Sequence, residues 1–86
     1  MSLVSIGFGS FIHAERLIAV LNADSAPIRR KVQEAREQGL LLDASYGRKT
    51  RSVLVMDSGQ IIISALTPET VTGRVQEILP GKEASQ

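Results

Sequence analysis

The sequence contains no cysteine, no tryptophan and only one histidine in 86 residues. Without cysteine the chain can form neither disulfide bonds nor thiolate metal sites, and this composition fits a reducing cytoplasm. A domain of this length has a small core and is marginally stable without reinforcement. Because self-association is the usual remaining reinforcement, we expect a homo-oligomer.

The chain also lacks a long hydrophobic run and a strong charge imbalance. Its first twenty residues are apolar, but His13, Glu15 and Arg16 interrupt them well before the roughly 18 residues that a membrane span requires. We therefore expect no membrane segment. A formal net charge of +1 does not by itself indicate a nucleic-acid partner, so the distribution of charge matters more than its sum.

Residues for catalysis or metal binding are equally scarce. His13 stands alone among apolar neighbours, and the carboxylates of Asp43, Asp57 and Glu69 lie at separate element ends, so no acid and base are paired. Zinc rarely accepts carboxylates alone. The segment GFG, residues 7–9, lacks the third glycine, the helix directly after it and the later acidic residue of a dinucleotide-binding site. It therefore indicates a tight turn or bulge. We expect no enzyme, no cofactor and no metal.

Hydrophobic periodicity predicts one α+β domain over residues 1–79 and a flexible tail over residues 80–86. The domain is expected to have a mostly antiparallel sheet, one main helix and a shorter C-terminal helix. The first helix is delimited by Ser25 as its N-cap, by Pro27 in its first turn and by Gly39 at its end. The other predicted elements are strands at 3–6, 11–14, 17–21, 40–46, 51–56 and 60–66, and a helix capped by Thr67 with Pro68 at its first position.

The later strands are apolar on successive positions, at residues 40–42, 53–56 and 61–63. A strand with one solvated face alternates apolar and polar residues, so this pattern indicates that both faces are buried. Two short helices would cover one face and leave much of the other to a neighbouring subunit, which favours an obligate homo-oligomer. Alternatively, the N-terminal strands fold over that face within one chain.

A short basic segment, SYGRKTRSV at residues 45–53, connects two of the predicted strands. It carries Arg48, Lys49 and Arg51, and no acidic residue lies between Asp43 and Asp57 to neutralise them. This pattern is compatible with a solvated turn and with a loop that holds a polyanion. Three contacts per chain would bind weakly, whereas several copies in an oligomer would bind well.

A second basic run, Arg29, Arg30 and Lys31, lies in the first turns of the first predicted helix. Cations are unfavourable there because the helix dipole is already positive at that end. Either Glu34 and Glu37 pair with them on a solvated helix face, or the run adds to an anion-facing surface.

The three aromatic residues, Phe8, Phe11 and Tyr46, are too few for a platform that stacks successive bases of a single strand. Two of them are expected to belong to the strands and the turn near the core. Duplex DNA held mainly through its backbone therefore fits better than a single strand.

Four segments together resemble the RemA family of small bacterial DNA-binding regulators of extracellular matrix genes. The resemblance runs in order over residues 3–75, and its specificity lies in the combination of segments. They are IGFGSFIHAERLIAV, SAPIRRKVQEAREQG, LLDASYGRKTRSVLVMDSGQIIISAL and PETV.

The resemblance implies a cytoplasmic, nucleoid-associated regulator of biofilm genes that assembles into a closed ring and wraps duplex DNA along its charged surface. The family's basic turn falls on Arg48, Lys49 and Arg51, which it assigns to DNA contact. Its positions important for assembly or activity fall on Arg16 and Pro27. Lys49 stands where arginine is common, which preserves charge but removes a bidentate donor.

A second hypothesis keeps the oligomer but not the DNA. In it, the chain is a structural homo-oligomer whose basic loop serves subunit contacts or binds an acidic partner other than DNA. The two hypotheses differ in what Arg48 and Lys49 contact.

Overall fold

Two β-sheets and two helices build an α+β fold, which the computed structural model describes for residues 2–78. The predicted helices and strands are confirmed, with bounds that shift by a few residues. The predicted tail, 80–86, lies outside the described residues. In chain order the elements are β1 (Leu3–Gly7), β2 (Ser10–His13), a 3-10 turn (Ala14–Arg16), β3 (Leu17–Asn22), α1 (Ala26–Glu37), β4 (Leu41–Ala44), β5 (Ser52–Met56), β6 (Ile61–Ser64) and α2 (Pro68–Ile78).

The strands form two separate sheets. β1 and β2 pair as an antiparallel hairpin, whereas the larger sheet has the order β3-β5-β6-β4. Within it β3 and β6 run antiparallel to β5, but β4 runs parallel to β6. The expectation of a mostly antiparallel sheet holds except for this last pair. Because the β5–β6 hairpin lies between them, β3 and β4 are both edge strands.

The GFG segment forms the turn between β1 and β2. Gly7 pairs with Ser10, and the two residues between them, Phe8 and Gly9, have φ angles of 55° and 82°. Two central residues with positive φ are the signature of the type I′ hairpin turn, whose twist matches that of the flanking strands. The interpretation of GFG as a tight turn is confirmed.

The β1–β2 hairpin and α2 cover one face of the larger sheet. Leu54 and Ile62 on that face belong to one buried cluster with Val4 and Ile6 of β1 and with Val71 of α2. The N-terminal strands therefore fold over this face within one chain, and the inference that an uncovered face requires a neighbouring subunit is wrong. The chain turns back at Ala14, whose N–H donates to the Ser2 carbonyl at 2.8 Å, and this turn separates the hairpin from β3.

Helix α1 covers the opposite face, over the buried Val53 and Ile63. The Ser25 hydroxyl accepts from the Ile28 N–H at 3.3 Å, which confirms the predicted N-cap. At its end the N–H of Leu40 donates to the Ala35 carbonyl at 2.8 Å, the six-residue bond that closes a Schellman motif. Along its length α1 buries only Ala35 completely, so it covers the sheet loosely.

Candidate functional site

The basic loop, residues 45–51, is fixed at its start by an acidic residue of β4. The Asp43 carboxylate accepts from the Ser45 backbone N–H at 2.9 Å and from the Ser45 hydroxyl at 2.6 Å. The hydroxyl bond is the main cause that holds the pKa of Asp43 below its usual value. Ser45 itself is buried, so the loop leaves the sheet in a defined direction.

Tyr46 and Phe8 connect this loop to the β1–β2 turn. They are the only two residues other than glycine with positive φ within the described chain, at 54° and 55°. Their ring centroids lie 5.9 Å apart, and the Tyr46 hydroxyl lies 3.3 Å from that of Ser10. Left-handed backbone at a bulky residue costs about 1–3 kcal/mol, so these contacts must offset a real strain.

The three cations of the basic loop face two directions. The Arg48 guanidinium lies 4.7 Å from the centroid of the Phe8 ring, within the range of a cation–π contact. Lys49 and Arg51 instead line a small recess beside the start of α2, at Thr67 and Pro68. None of the three forms an ion pair within 4 Å with any residue from 2 to 78.

Phe11 lies in β2 and Phe8 in the β1–β2 turn, as expected, but all three aromatic side chains of the chain are exposed. The exposed fractions are 47% for Phe8, 58% for Phe11 and 62% for Tyr46. Successive side chains of a strand point to opposite faces, and in β2 it is Ile12 that points inward. Phe11 therefore points outward, while the turns carry Phe8 and Tyr46 away from the sheet.

The basic run of α1 is exposed at Arg29, Arg30 and Lys31. Within the described residues none of these cations forms an ion pair, so the pairing with Glu34 and Glu37 that would make a neutral helix face is not formed. Glu37 instead accepts a hydrogen bond from the Gln33 amide at 3.3 Å.

Only one member of that run meets the basic loop. Arg29 and Lys49 line one cleft together, and Arg36 lines it as well, whereas Arg30 and Lys31 do not. Sequence reasoning missed Arg36. Its spacing of seven residues from Arg29, two helical turns, was the signal that places both on one face.

Arg16 and Pro27 lie away from the basic loop. The Arg16 guanidinium lies 3.3 Å from the Asp57 carboxylate, and the Arg16 carbonyl accepts from the Asp57 N–H at 2.8 Å. These bonds tie the 3-10 turn to the β5–β6 turn. Pro27 is exposed in the first turn of α1. The importance of both residues for assembly stays a prediction.

Two other findings concern the whole of residues 2–78. No helix there is both long and apolar enough to cross a membrane. No three histidine or carboxylate side chains in that range lie close enough together to hold a metal ion.

Comparison with known proteins identifies close relatives along nearly the whole chain. A family model described as RemA-like, extracellular matrix regulatory protein A-like, matches residues 3–75. A protein named as a regulatory protein from Synechococcus elongatus is 57% identical over 86% of this chain and 85% of its own length. One from Caldicellulosiruptor saccharolyticus is 56% identical over 90% of this chain and 76% of its own length. Extracellular matrix regulatory protein A of Bacillus subtilis is 53% identical over 87% of this chain and 84% of its own length.

Proposed function

We propose that this chain, which belongs to the RemA-like family of extracellular matrix regulatory proteins, binds duplex DNA through its basic loop as a ring-shaped homo-oligomer. The observation that carries the proposal is the loop itself. Arg48, Lys49 and Arg51 are exposed there and form no ion pair within 4 Å among residues 2–78, although Asp24 and Glu69 line the recess beside Lys49 and Arg51. The loop is held in place by Asp43 and by the Phe8–Tyr46 contact, so its cations are already positioned for an extended anion.

The expected mode of binding is through phosphates. Lysine is a compact point charge that suits a phosphate oxygen, whereas arginine can also form a bidentate fork. Three phosphate contacts give a salt slope of about −2.7, so a single chain would bind weakly. Several copies on one ring raise the effective concentration of each further contact, which is why the proposal includes the oligomer.

The exposed aromatic rings do not alter the preference for a duplex. Successive bases of a single strand stack on open ring faces that follow one another along a groove. Here the Phe8 ring carries the Arg48 guanidinium on one face, and the Tyr46 ring is tilted by 59° from it. The two rings contact each other and join the β1–β2 turn to the basic loop, so they do not form a row of open ring faces. This arrangement therefore supports a loop that touches the outside of a duplex.

The test compares two double variants that each remove two positive charges. We expect Arg48→Ala with Lys49→Ala to weaken duplex binding at least tenfold. The slope of log affinity against log salt concentration should become less negative by about 1.8 for each chain that contacts the DNA, because two phosphate contacts are lost. Arg30→Ala with Lys31→Ala changes the net charge equally but leaves the basic loop intact. Fluorescence anisotropy in a salt series measures both, and light scattering checks that the oligomer persists.

Two results would contradict the proposal. If the loop variant binds duplex DNA as the unmodified protein does, the basic loop is not the contact. If both double variants lose affinity equally, either net charge or a contact that also includes the basic run of α1 explains the binding, and the loop has no special part.

The exposed apolar residues near the loop favour one other candidate function. Phe11 and Leu42 are 58% and 48% exposed and line a common groove along the edge strand β4. A structural homo-oligomer that used this region and the adjacent loop for subunit contacts, or for an acidic partner, would also suit the molecule. In that case the Arg48 and Lys49 double variant would change the oligomer mass, whereas a DNA contact predicts an unchanged mass.

A further inference from the structure

A cleft of about 330 Å³ lies between α1 and the basic loop. One wall is formed by Arg29, Val32 and Arg36 of α1, and the other includes Lys49 and Thr50. Val53 and Ile63, which are almost fully buried, form an apolar floor. The cleft therefore combines cations at its rim with hydrocarbon at its base.

The cleft follows from the sequence of α1. Positions i, i+3 and i+7 share one helix face, so Arg29, Val32 and Arg36 form a single stripe that faces the sheet. A stripe with arginine at both ends cannot pack flat on an apolar sheet, because the guanidinium groups must stay hydrated or paired. Ala35 is consequently the one residue of α1 that is fully buried.

The electrostatics of the cleft favour an anion. Three cations, Arg29, Arg36 and Lys49, line it together with one carboxylate, that of Asp24. Arg29 and Lys49 form no ion pair with any residue between 2 and 78. Arg36 donates a hydrogen bond to the neutral Gln33 amide, at 3.2 Å, and its charge is one of the smaller causes that lower the pKa of Asp43, which does not line the cleft. An anion bound among these side chains would relieve their mutual repulsion and form charge-assisted hydrogen bonds.

We propose that this cleft binds a phosphate monoester that carries a small apolar or aromatic group. The phosphate lies among Arg29, Arg36 and Lys49, and the apolar group rests on Val32 above the floor of the cleft. Lys49 also belongs to the proposed DNA contact, so an occupied cleft withdraws it from DNA. Only this last consequence depends on the proposed function; binding in the cleft does not.

The probe for the test is phenyl phosphate, with inorganic phosphate as its comparison. We expect phenyl phosphate to shift the amide NMR signals of Val32, Lys49 and Thr50 and to bind at least about fivefold more tightly than inorganic phosphate, since the ring buries apolar area. Arg29→Gln and Arg36→Gln should each weaken phenyl phosphate about fivefold or more, because each removes a charge-assisted contact. Arg30→Gln is the matched control on the same helix, outside the cleft, and should bind unchanged.

Val32→Thr tests the apolar part with almost no change in volume. It should reduce the preference for phenyl phosphate over inorganic phosphate and leave the affinity for inorganic phosphate unchanged. Circular dichroism confirms that each variant is folded.

The inference is overturned if phenyl phosphate causes no shifts in the cleft up to about 20 mM, well above a millimolar dissociation constant. Equal weakening by Arg30→Gln would overturn it as well. If Arg36→Gln weakens duplex binding while phenyl phosphate does not bind, the cleft holds a DNA phosphate and not a small molecule, which also refutes the inference. If the protein binds phenyl phosphate but does not bind duplex DNA, the proposed function is refuted and the inference about the cleft is supported.

Discussion

Two buried serines face each other across β5 and β6, and their hydroxyl groups are in opposite situations. Ser64 donates to the Ile6 carbonyl at 2.9 Å and accepts from the Leu66 N–H at 3.1 Å. Ser52, its cross-strand partner, is equally buried, but its hydroxyl has no hydrogen-bond partner among the described residues. A buried polar group without a partner destabilises the fold, whereas a satisfied one holds distant segments together.

We expect Ser52→Ala to raise the free energy of unfolding by about 1 kcal/mol, because it removes an unsatisfied hydroxyl and leaves a space of only one oxygen atom. Ser64→Ala should lower the free energy of unfolding by about 1–3 kcal/mol, because it leaves the Ile6 carbonyl and the Leu66 N–H without their partner. Urea denaturation of the two variants measures both values. A loss of stability in Ser52→Ala would show that this hydroxyl does find a partner in the native protein.

At the scale of the elements, one glycine follows α1 and another lies inside α2, and substitutions at the two are expected to have opposite effects on stability. Gly39 follows α1 with φ of 75°, the left-handed conformation that the Schellman motif requires at this position. Gly73 lies inside α2, where φ is not positive and an added Cβ would meet nothing within 4 Å. Neither site is crowded, so backbone conformation alone decides the effect of a substitution.

Gly39→Ala is expected to destabilise the protein by about 1 kcal/mol, the cost of left-handed backbone at a residue with a Cβ. Gly73→Ala should stabilise it by about 0.5–1 kcal/mol, because alanine loses less backbone entropy in a helix interior. Thermal unfolding followed by circular dichroism separates the two. If both variants shift the midpoint in the same direction, crowding and not backbone conformation controls these sites.

At the scale of the whole molecule, the proposed oligomer needs a surface through which copies of the chain contact each other. Both outer strands of the larger sheet are unpaired edges in the single chain, and Ile18 on β3 is 66% exposed. Arg16 lies at the start of this edge, with a side chain that is 68% exposed beyond its contact to Asp57. Its position leaves it accessible to a neighbouring copy.

We expect Arg16→Ala to dissociate the oligomer or change its size in native mass spectrometry. Its exposed ion pair with Asp57 contributes less than about 1 kcal/mol to folding, so the single chain should stay folded. Asp57→Asn is the matched variant, because it removes the carboxylate charge but keeps Arg16 available to a neighbour, and it should retain the oligomer. Equal loss of mass in both variants would mean that Arg16 acts by holding the β5–β6 turn. An unchanged mass in Arg16→Ala would contradict a role in assembly.

Local residues were sufficient to predict the secondary structure. The N-caps at Ser25 and Thr67 and the glycine at Gly39 are all found where the sequence predicted them, since each satisfies the backbone groups of its own helix end. The exposure of the cations at residues 48–51 was also predictable, because nothing nearby in sequence neutralises them. The family was evident from the order of its motifs, and the comparisons show it.

The tertiary structure decided what depends on contacts between distant segments. Periodicity shows that a strand is buried on both faces, but not which segment covers each face. The sequence left one face to a neighbouring subunit or to the N-terminal strands, and in the structure the N-terminal hairpin covers it. Likewise, a run of basic residues in the sequence does not show in which direction each side chain points. Packing turns Arg48 toward Phe8 and places Lys49 opposite Arg29 and Arg36, because the positions of α1 and of the β1–β2 turn over the sheet are set by the core.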